Sequence, residues 1–302
     1  MSGKRVALLY NPIAGAGGAR AAAESLVSGL REQGHEPLAQ ETIRDPQPGW
    51  MDDLLDGADA LVVIGGDGAL RLACGPAMRS GTPVYHWPSG NENLFAREFG
   101  MTASMPRLLA ALGQSEVRQA DVASVQGDDS LLMTSIGFDA AVVHDLAARR
   151  GRRISHLSYV PSILRQLRSW RPSMLTVRVD GETIVDSERG VVVVANSRQY
   201  ALRLDPALRA SMSDGALDVV FFPCASCATG MLWMIRSRLR RHVHSAPVVY
   251  KKGRDILVRS APARPYQIDG DPAGPASGIS ELSITLRSAT LPVLVPPQSR
   301  ST

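Results

Sequence analysis

The sequence is poor in several features that mark whole classes of protein. It has three cysteines, Cys74, Cys224 and Cys227. Because this number is small and odd, no disulfide framework is expected and a reducing compartment is predicted. Aromatic residues make up 5% of the chain, and no stacking platform or nucleic-acid motif occurs, which argues against a nucleic-acid partner. No stretch approaches the ~20 apolar residues that span a bilayer, so any membrane contact is predicted to be peripheral.

The composition that remains is that of a globular protein of more than one domain. With 302 residues, 44% of them hydrophobic and 21% charged, the chain is too long for one ordinary core. The apolar run at Val6–Tyr10 is too short for a signal peptide and leads directly into a glycine loop, so it is interpreted as a first strand. We therefore expect a cytoplasmic protein, with the oligomeric state left open between monomer and homodimer.

The net charge of +4 matters because the positive residues are clustered. Arg149, Arg150, Arg152 and Arg153 form one group, and Arg236, Arg238, Arg240, Arg241, His242 and His244 form another. Such groups attract anionic surfaces such as lipid headgroups or nucleotides, although two solvated helix faces would look the same. The segment Gly230–His244 interleaves Leu232, Trp233, Ile235 and Leu239 with arginines. That pattern fits a helix on a membrane surface and equally a helix packed on the core.

The first part of the chain, residues 1–122, alternates strand and helix signals. Apolar runs at Val6–Tyr10, Ala60–Ile64 and Pro83–Trp87 predict buried strands, and helices are predicted at Ala19–Gln33 and Ala69–Met78. This alternation predicts a Rossmann-like α/β domain with a parallel sheet.

The pattern changes in residues 123–296, where short β-type segments are separated by turn residues. They lie at Leu131–Ser135, Leu175–Val179, Val191–Ala195, Leu217–Phe222, Ile256–Arg259 and Ile284–Arg287. Helices are predicted to interrupt them at Ala140–Arg150, Tyr159–Trp170 and Ala228–Val243. We predict a mainly antiparallel, sandwich-like second domain, followed by a disordered tail at 297–302.

Three glycine-rich loops follow the predicted strands of the first domain. They are Asn11–Gly18, Gly65–Gly68 and Gly90–Asn93. In an open parallel sheet, loops at the carboxyl ends of strands line one crevice, so these three should converge. Glycines let a backbone approach phosphates closely, and Asp67 could hold Mg²⁺ directly or through water. Each loop alone is typical of an ordinary turn, and no GxxxxGK[ST] fingerprint occurs.

The ordered motifs resemble those of the diacylglycerol kinase catalytic-domain family, which includes bacterial lipid kinases and sphingosine kinases and is related in fold to NAD kinase and phosphofructokinase. The resemblance rests on Asn11-Pro12 with Gly15 and Gly17, Gly65–Gly68, Pro88–Asn93 with Phe95-Ala96-Arg97, Gly137–Ala140, Asp205-Pro206-Ala207, Ser213–Asp218, Gln267–Asp271 and Leu291–Pro296. These segments are spread over essentially the whole chain.

The resemblance implies ATP and Mg²⁺ as cofactors and a membrane lipid as the phosphate acceptor. It assigns catalytic roles to Asp67 and to Asp269, the latter as general base. It assigns the nucleotide to Asn11, Gly15, Gly17, Gly65, Gly66, Asp67, Gly68, Gly90, Asn91, Glu92, Asn93 and Asp271, and a structural Mg²⁺ to Asp214 with the carbonyls of Ala216 and Ser211. Without it, Asp269-Gly270 and Asp214-Gly215 are simply preferred turn pairs.

Four positions depart from the family pattern. Ala69 stands where Thr is usual, Leu72 where Glu is usual, Asn91 where Thr is usual and Leu94 where Asp is usual. A lost hydrogen bond to a charged partner costs about 1.5–3 kcal/mol, so several losses could compound. Two hypotheses therefore stay open: a lipid kinase using ATP in a cleft between the domains, and a non-catalytic nucleotide- or lipid-binding protein of the same fold. A kinase acting on a soluble substrate such as NAD fits less well.

Overall fold

The structure is a computed structural model that describes residues 3–12, 17–43, 46–148, 161–163, 165–166 and 172–297. It divides into two compact units. Unit 1 contains the chain up to Ala120 together with the described residues from Ala289 onward, and unit 2 is Asp121–Ser288. The sequence predicts that residues 123–296 form one domain, whereas in the structure the last strand, Leu291–Leu294, belongs to unit 1. A short apolar strand does not reveal which of two sheets it joins.

Unit 1 is built on a sheet whose strands are β1 (Arg5–Tyr10), β2 (Glu36–Glu41), β3 (Ala60–Gly65), β4 (Val84–Pro88), β5 (Val117–Ala120) and β17 (Leu291–Leu294). Within the described residues its order is β2-β1-β3-β4-β17-β5, and only the β17–β5 pair is antiparallel. Every residue of β3 is buried, as expected for a central strand covered on both faces. This is the predicted α/β architecture.

The helices of unit 1 follow its strands and are α1 (Gly18–Glu32), α2 (Asp52–Leu55), α3 (Asp67–Ser80), α4 (Leu94–Glu98) and α5 (Met105–Gln114). In α1 the buried residues are Ala19, Ala23, Leu26 and Leu30, one per turn along a single face. Gly34 then adopts a φ of +78°, which glycine tolerates better than other residues, and the chain turns into β2.

Unit 2 is dominated by antiparallel strands. They are β6 (Ala123–Val125), β7 (Asp128–Ser130), β8 (Met133–Ile136), β9 (Ser173–Val179), β10 (Glu182–Ala195), β11 (Leu217–Pro223), β12 (Val249–Gly253), β13 (Asp255–Arg264), β14 (Tyr266–Ile268), β15 (Asp271–Ala273) and β16 (Ile279–Leu286). The long β10 pairs with β9 along its first half and with β8 and β11 along its second half. Alternate residues of these strands, such as Val177 and Val258, fill the core, as the sequence pattern predicts.

The helices α6 (Phe138–Ala148) and α7 (Cys227–Arg238) accompany this sheet, and the described residues 161–163 and 165–166 are also helical, as predicted. The predicted helix at Tyr159–Trp170 lies largely outside the described residues, as do Arg149, Arg150, Arg152 and Arg153. α7 ends at Arg238, earlier than predicted, and a short 3-10 turn follows at His242–His244. Within the described part of the chain, no helix combines the length and apolar character needed to cross a bilayer.

Candidate functional site

The three glycine loops of unit 1 begin side by side, at the carboxyl ends of neighbouring strands, and residues 13–16 of the first loop lie outside the described residues. In the strand register Tyr10 is opposite Ile64, and Ile64 is opposite Trp87, so the three strands end at the same level. The Asn11 backbone N–H donates to the Ile64 carbonyl at 3.2 Å. The Ser89 N–H donates to the Gly65 carbonyl at 2.9 Å. The structure therefore brings together Asn11, Gly65 and Ser89, although Asn11 and Gly65 are 54 positions apart in the chain and Gly65 and Ser89 are 24 apart.

The second and third loops touch through their glycines. A Cβ atom added to Gly90 would lie 2.7 Å from the Gly66 Cα atom, closer than real Cβ contacts occur. A Cβ added to Gly65 would lie 2.6 Å from the Ala69 Cβ atom. A Cβ on Gly66, in contrast, would stand 3.4 Å from the Gly90 Cα atom, an ordinary contact. Gly90 is therefore required by packing between the loops and Gly65 by packing against α3, while Gly66 is required by neither.

Asp67 connects the second loop to the helix that follows the third. Its Oδ2 atom accepts the Leu94 N–H at 2.9 Å and its Oδ1 atom accepts the Phe95 N–H at 3.0 Å. These N–H groups belong to the first turn of α4, where helices leave donors without intrahelical acceptors and favour negative charge. Asp67, predicted to serve Mg²⁺, thus caps α4 with both carboxylate oxygens.

The third loop is closed by its own asparagine. The Asn93 Oδ1 atom accepts the Gly90 N–H at 2.9 Å, and its Nδ2 atom donates to the Gly90 carbonyl at 2.7 Å. Glu92 forms an ion pair with Arg97 at 3.6 Å. In the first loop Gly17, with a φ of +92°, caps the start of α1, whereas Gly15 lies outside the described residues. Asn93 and Glu92 therefore hold the loop in shape.

His86 also supports these loops, and the sequence analysis missed it. The ring is fully buried within β4, and its Nε2–H donates to the Gly65 carbonyl at 3.0 Å. Burial lowers the pKa of His86, although the negative charge of Asp67 acts in the opposite direction. The imidazole is therefore neutral at pH 7 and serves as a fixed donor to the second loop. No local sequence signal marks it, because it sits inside an apolar strand.

Asp269 lies at the tip of a tight hairpin in unit 2. Ile268 of β14 pairs with Asp271 of β15, so Asp269 and Gly270 form a two-residue loop, with φ values of +52° and +86°. Both positive φ values are those of a type I′ turn, for which Asp-Gly is favoured. The turn interpretation of Asp269-Gly270 therefore holds, and it presents the two predicted site residues, Asp269 and Asp271, next to each other.

The Asp269 carboxylate is held by a segment far away in the sequence. Its Oδ1 atom accepts the Ser130 hydroxyl at 2.9 Å and the N–H groups of Leu132 and Met133 at 2.8 and 2.9 Å. Its Oδ2 atom accepts the Leu131 N–H at 2.8 Å. Four donors thus fix the orientation of this carboxylate and stabilise its charged form. These donors are residues that sequence reasoning did not find.

Asp214, the predicted metal-binding carboxylate of unit 2, is paired with a lysine. The Asp214 carboxylate pairs with the Lys252 ammonium at 2.5 Å, and its other oxygen accepts the Ala216 N–H at 3.3 Å. Ser211 contacts Ser213 through their hydroxyls at 3.5 Å. No group of three or more His, Cys, Asp or Glu side chains in the described residues is arranged to hold a metal ion. The arrangement at Asp214 does not fit a divalent cation, because a positive charge already lies there.

Comparison with known proteins covers both units. The diacylglycerol kinase catalytic domain model matches residues 5–125, and the model of the YegS C-terminal NAD kinase beta sandwich-like domain matches residues 133–293. A diacylglycerol kinase of Mycobacterium tuberculosis is 27% identical over 225 residues, covering 71% of this chain and 72% of the relative.

Solved structures agree on the fold. A crystal structure of a diacylglycerol kinase from Bacillus anthracis str. Sterne has a TM-score of 0.68 at 16% identity, with 97% of each chain covered. Yeast NADH kinase complexed with NADH has a TM-score of 0.52 at 11% identity, covering 98% of this chain and 84% of that one. The solved structures confirm the predicted fold, and the two family models show the predicted family: the chain belongs to the diacylglycerol kinase catalytic-domain family and carries a YegS-type C-terminal domain.

Proposed function

We propose that the protein is an ATP- and Mg²⁺-dependent lipid kinase that phosphorylates a hydroxyl group of a diacylglycerol-like or sphingoid-like lipid. The observation that carries the proposal is the meeting of Asn11 with the second and third glycine loops at the carboxyl ends of three strands, with the Gly66 and Gly90 backbones in direct contact. Such an edge is where open α/β sheets bind ligands. Membership of a diacylglycerol kinase family supports a nucleotide as the phosphate donor.

The start of α3 is the proposed phosphate site. The first-turn N–H groups of a helix have no intrahelical acceptors and point toward a ligand, with the positive end of the helix dipole behind them. α3 is 14 residues long, and Gly66 precedes it without a Cβ to obstruct a phosphate. Mg²⁺ would arrive on the nucleotide and neutralise phosphate charge. We propose that Asp67, whose oxygens both accept backbone N–H groups, serves it through water while fixing the loops.

Asp269 is the proposed general base. A lipid alcohol is far too weakly acidic to attack a phosphoryl group unaided, so a carboxylate near its hydroxyl must accept the proton. The four donors around Asp269 keep it ionised and aimed in one direction, as this role requires. Asp271, the next residue but one, would help to orient the substrate.

A second candidate function is nucleotide or lipid binding without turnover. The observation that favours it is the engagement of Asp67 as the cap of α4, combined with an apolar residue, Leu94, at the position where the family carries an acid. Leu72, at the other acidic family position, is partly exposed on α3. A phosphate site without its metal contacts can still bind a nucleotide although it no longer supports phosphate transfer.

Radiolabelled phosphate transfer separates the two functions. Purified protein incubated with [γ-³²P]ATP, MgCl₂ and a mixed lipid extract is expected to yield a labelled lipid, and omission of Mg²⁺ is expected to abolish the product. A thermal shift with ATP should show stabilisation in either case, because a ligand of the native state raises apparent stability. Stabilisation by ATP without labelled lipid would establish the binding function. If the protein gave neither stabilisation nor labelled lipid, both proposed functions would be contradicted.

We propose that α7 contacts the cytoplasmic surface of a membrane and that the protein binds its lipid substrate there. Four large apolar side chains on α7 and at its end are 44–58% exposed: Met231, Leu232, Ile235 and Leu239. We call them the α7 apolar face, and the exposed Arg238 and Arg241 flank it. Apolar residues beside arginines are typical of helices that lie in an anionic lipid interface.

Two residues of the predicted basic helix do not belong to this surface. Trp233 is buried and its indole N–H donates to the Pro223 carbonyl at 2.7 Å. His242 is fully buried against the Pro206 carbonyl at 2.7 Å, and burial lowers the pKa of its imidazole, so it carries no charge at pH 7. We therefore propose a membrane-surface role for the exposed face of α7 only, because its other face packs on the core.

Replacing Leu232 and Ile235 by serine is expected to weaken binding to vesicles of mixed anionic and zwitterionic phospholipid at least tenfold. Each half-exposed side chain contributes on the order of 1 kcal/mol when it leaves water, and about 1.4 kcal/mol is a factor of ten. Vesicle co-sedimentation measures the change. The matched control is the double variant Leu38→Ser/Ile43→Ser, whose side chains are similarly exposed on unit 1. Equal binding by the two variants would exclude α7 as the membrane contact.

A further inference from the structure

The Lys252 side chain sits among three oxygen atoms in unit 2. Its Nζ atom lies 2.5 Å from Asp214 Oδ2, 3.3 Å from the Arg209 carbonyl oxygen and 3.4 Å from Asp218 Oδ2. An ammonium group has N–H donors and no acceptor, and here it donates to the Asp214 and Arg209 oxygens while Asp218 Oδ2 lies within ion-pair distance. Two carboxylates and a backbone carbonyl are also the ligand types that hard divalent cations prefer. Lys252 thus fills a position with the chemistry of a cation site.

A closed network surrounds this position. The Tyr250 hydroxyl donates to Asp218 Oδ1 at 2.6 Å and accepts the Arg209 N–H at 3.1 Å. Lys252 donates to the carbonyl of the same Arg209 residue and also pairs with Asp218, so these contacts form a closed ring. The Arg209 guanidinium lies 5.1 Å from the centre of the Tyr250 ring. The loop containing Arg209 is therefore tied to β11 and β12 by the groups around the ammonium.

The fold itself places the lysine here. Asp218 of β11 and Lys252 of β12 are partners in the antiparallel register, and Asp214 lies in the turn that leads into β11. Asp218 is fully buried. A buried carboxylate needs a positive partner, and the ladder register supplies one.

We propose that the Lys252 ammonium takes the place of the divalent cation that the family resemblance assigns to the Asp214 turn, so that unit 2 is organised without bound magnesium. A divalent ion on Asp214 would lie within a few ångströms of an ammonium, and like charges at that distance repel strongly. The same oxygens cannot satisfy both. Magnesium dependence of this protein would then arise only from the nucleotide.

The test is thermal unfolding without nucleotide or lipid, so that its outcome is independent of kinase activity. Wild-type protein is expected to unfold at the same temperature, within about 1 °C, in EDTA and in 10 mM MgCl₂ at matched ionic strength. Lys252→Ala is expected to unfold about 3–6 °C lower, because Asp218 loses its positive partner. The matched control is Lys251→Ala, which removes the adjacent lysine and its exposed pair with Glu182. This control should shift by no more than about 1 °C.

Vacating the position should create a metal site. In Lys252→Ala, MgCl₂ or MnCl₂ at millimolar concentration is expected to restore at least half of the lost unfolding temperature, and the double variant Asp218→Asn/Lys252→Ala should lose this rescue. A saturable Mg²⁺ stabilisation of wild type would overturn the proposal, and this measurement decides even if Lys252→Ala does not fold. An unchanged unfolding temperature in Lys252→Ala, or one that divalent cations do not raise, would also overturn it.

Discussion

Asp269→Asn is expected to lower kcat for lipid phosphorylation by about 10²–10⁴-fold, the contribution typical of a positioned general base. The amide has the shape of the carboxylate but cannot accept a proton from the lipid hydroxyl. The backbone tolerates the change, because asparagine readily adopts the φ of +52° at this position and Asn-Gly also favours a two-residue hairpin. Initial rates of labelled lipid formation at saturating ATP and lipid give kcat directly.

The difficulty in this experiment is that Asp269 also supports the fold. The asparagine NH₂ group would face the Leu131 N–H, and an unsatisfied buried donor costs about 1–3 kcal/mol. Ser130→Ala is the matched control, since it removes one donor from the same carboxylate and leaves the carboxylate in place. We expect this variant to lose comparable stability and to keep kcat within about tenfold of wild type.

The unfolding temperature and the KM for ATP of each variant complete the comparison. Both variants are assayed well below their unfolding temperatures, and KM for ATP is expected to stay within a few-fold in each. If Asp269→Asn retains kcat, or if Ser130→Ala loses as much activity as Asp269→Asn, then Asp269 is a structural residue and the base must be sought elsewhere. A loss of kcat confined to Asp269→Asn would support the proposed chemistry.

The parts of the fold that the sequence predicts are those in which the determining interactions are local. Ala60–Ile64 is a continuous apolar run ended by two glycines, which specifies a buried strand and the turn after it. The observed strand extends only one residue further, to Gly65. The convergence of the glycine loops follows from the same information, because parallel neighbouring strands must end at a common edge.

The parts that the sequence does not predict depend on contacts between distant residues. β2 was not anticipated because it is an edge strand whose residues are half-buried or exposed, and Glu36–Glu41 lacks an apolar pattern. The shell around Asp269 joins residues more than 130 positions apart, and Lys252 meets Asp214 across 38. A single sequence holds no record of such pairs. The chemical nature of a site residue can therefore be proposed from its motif, while its partners must come from the structure.

Gly66→Ala is expected to raise the Kd for ATP at least tenfold while leaving the unfolding temperature within about 2 °C of wild type. The conformation at Gly66, with φ −94° and ψ −176°, is open to alanine, and the new methyl group would stand 3.4 Å from the Gly90 Cα atom. If phosphates approach the backbone before α3, however, the methyl occupies space that they need. A loss of one charged hydrogen bond, about 1.5–3 kcal/mol, corresponds to a tenfold or larger change in Kd.

Gly90→Ala provides the contrast, because its methyl would lie 2.7 Å from the Gly66 Cα atom and must push the loops apart. We expect this variant to lose both ATP affinity and several degrees of unfolding temperature, whereas Gly113→Ala, whose added Cβ has no neighbour within 4 Å, should lose neither. Calorimetric titration with ATP and a thermal melt of each variant make the comparison. The space beside Gly90 is needed by the fold, whereas the space beside Gly66 is needed only by the proposed ligand. Unchanged ATP affinity in Gly66→Ala would therefore show that the phosphates do not bind at the carboxyl ends of these strands.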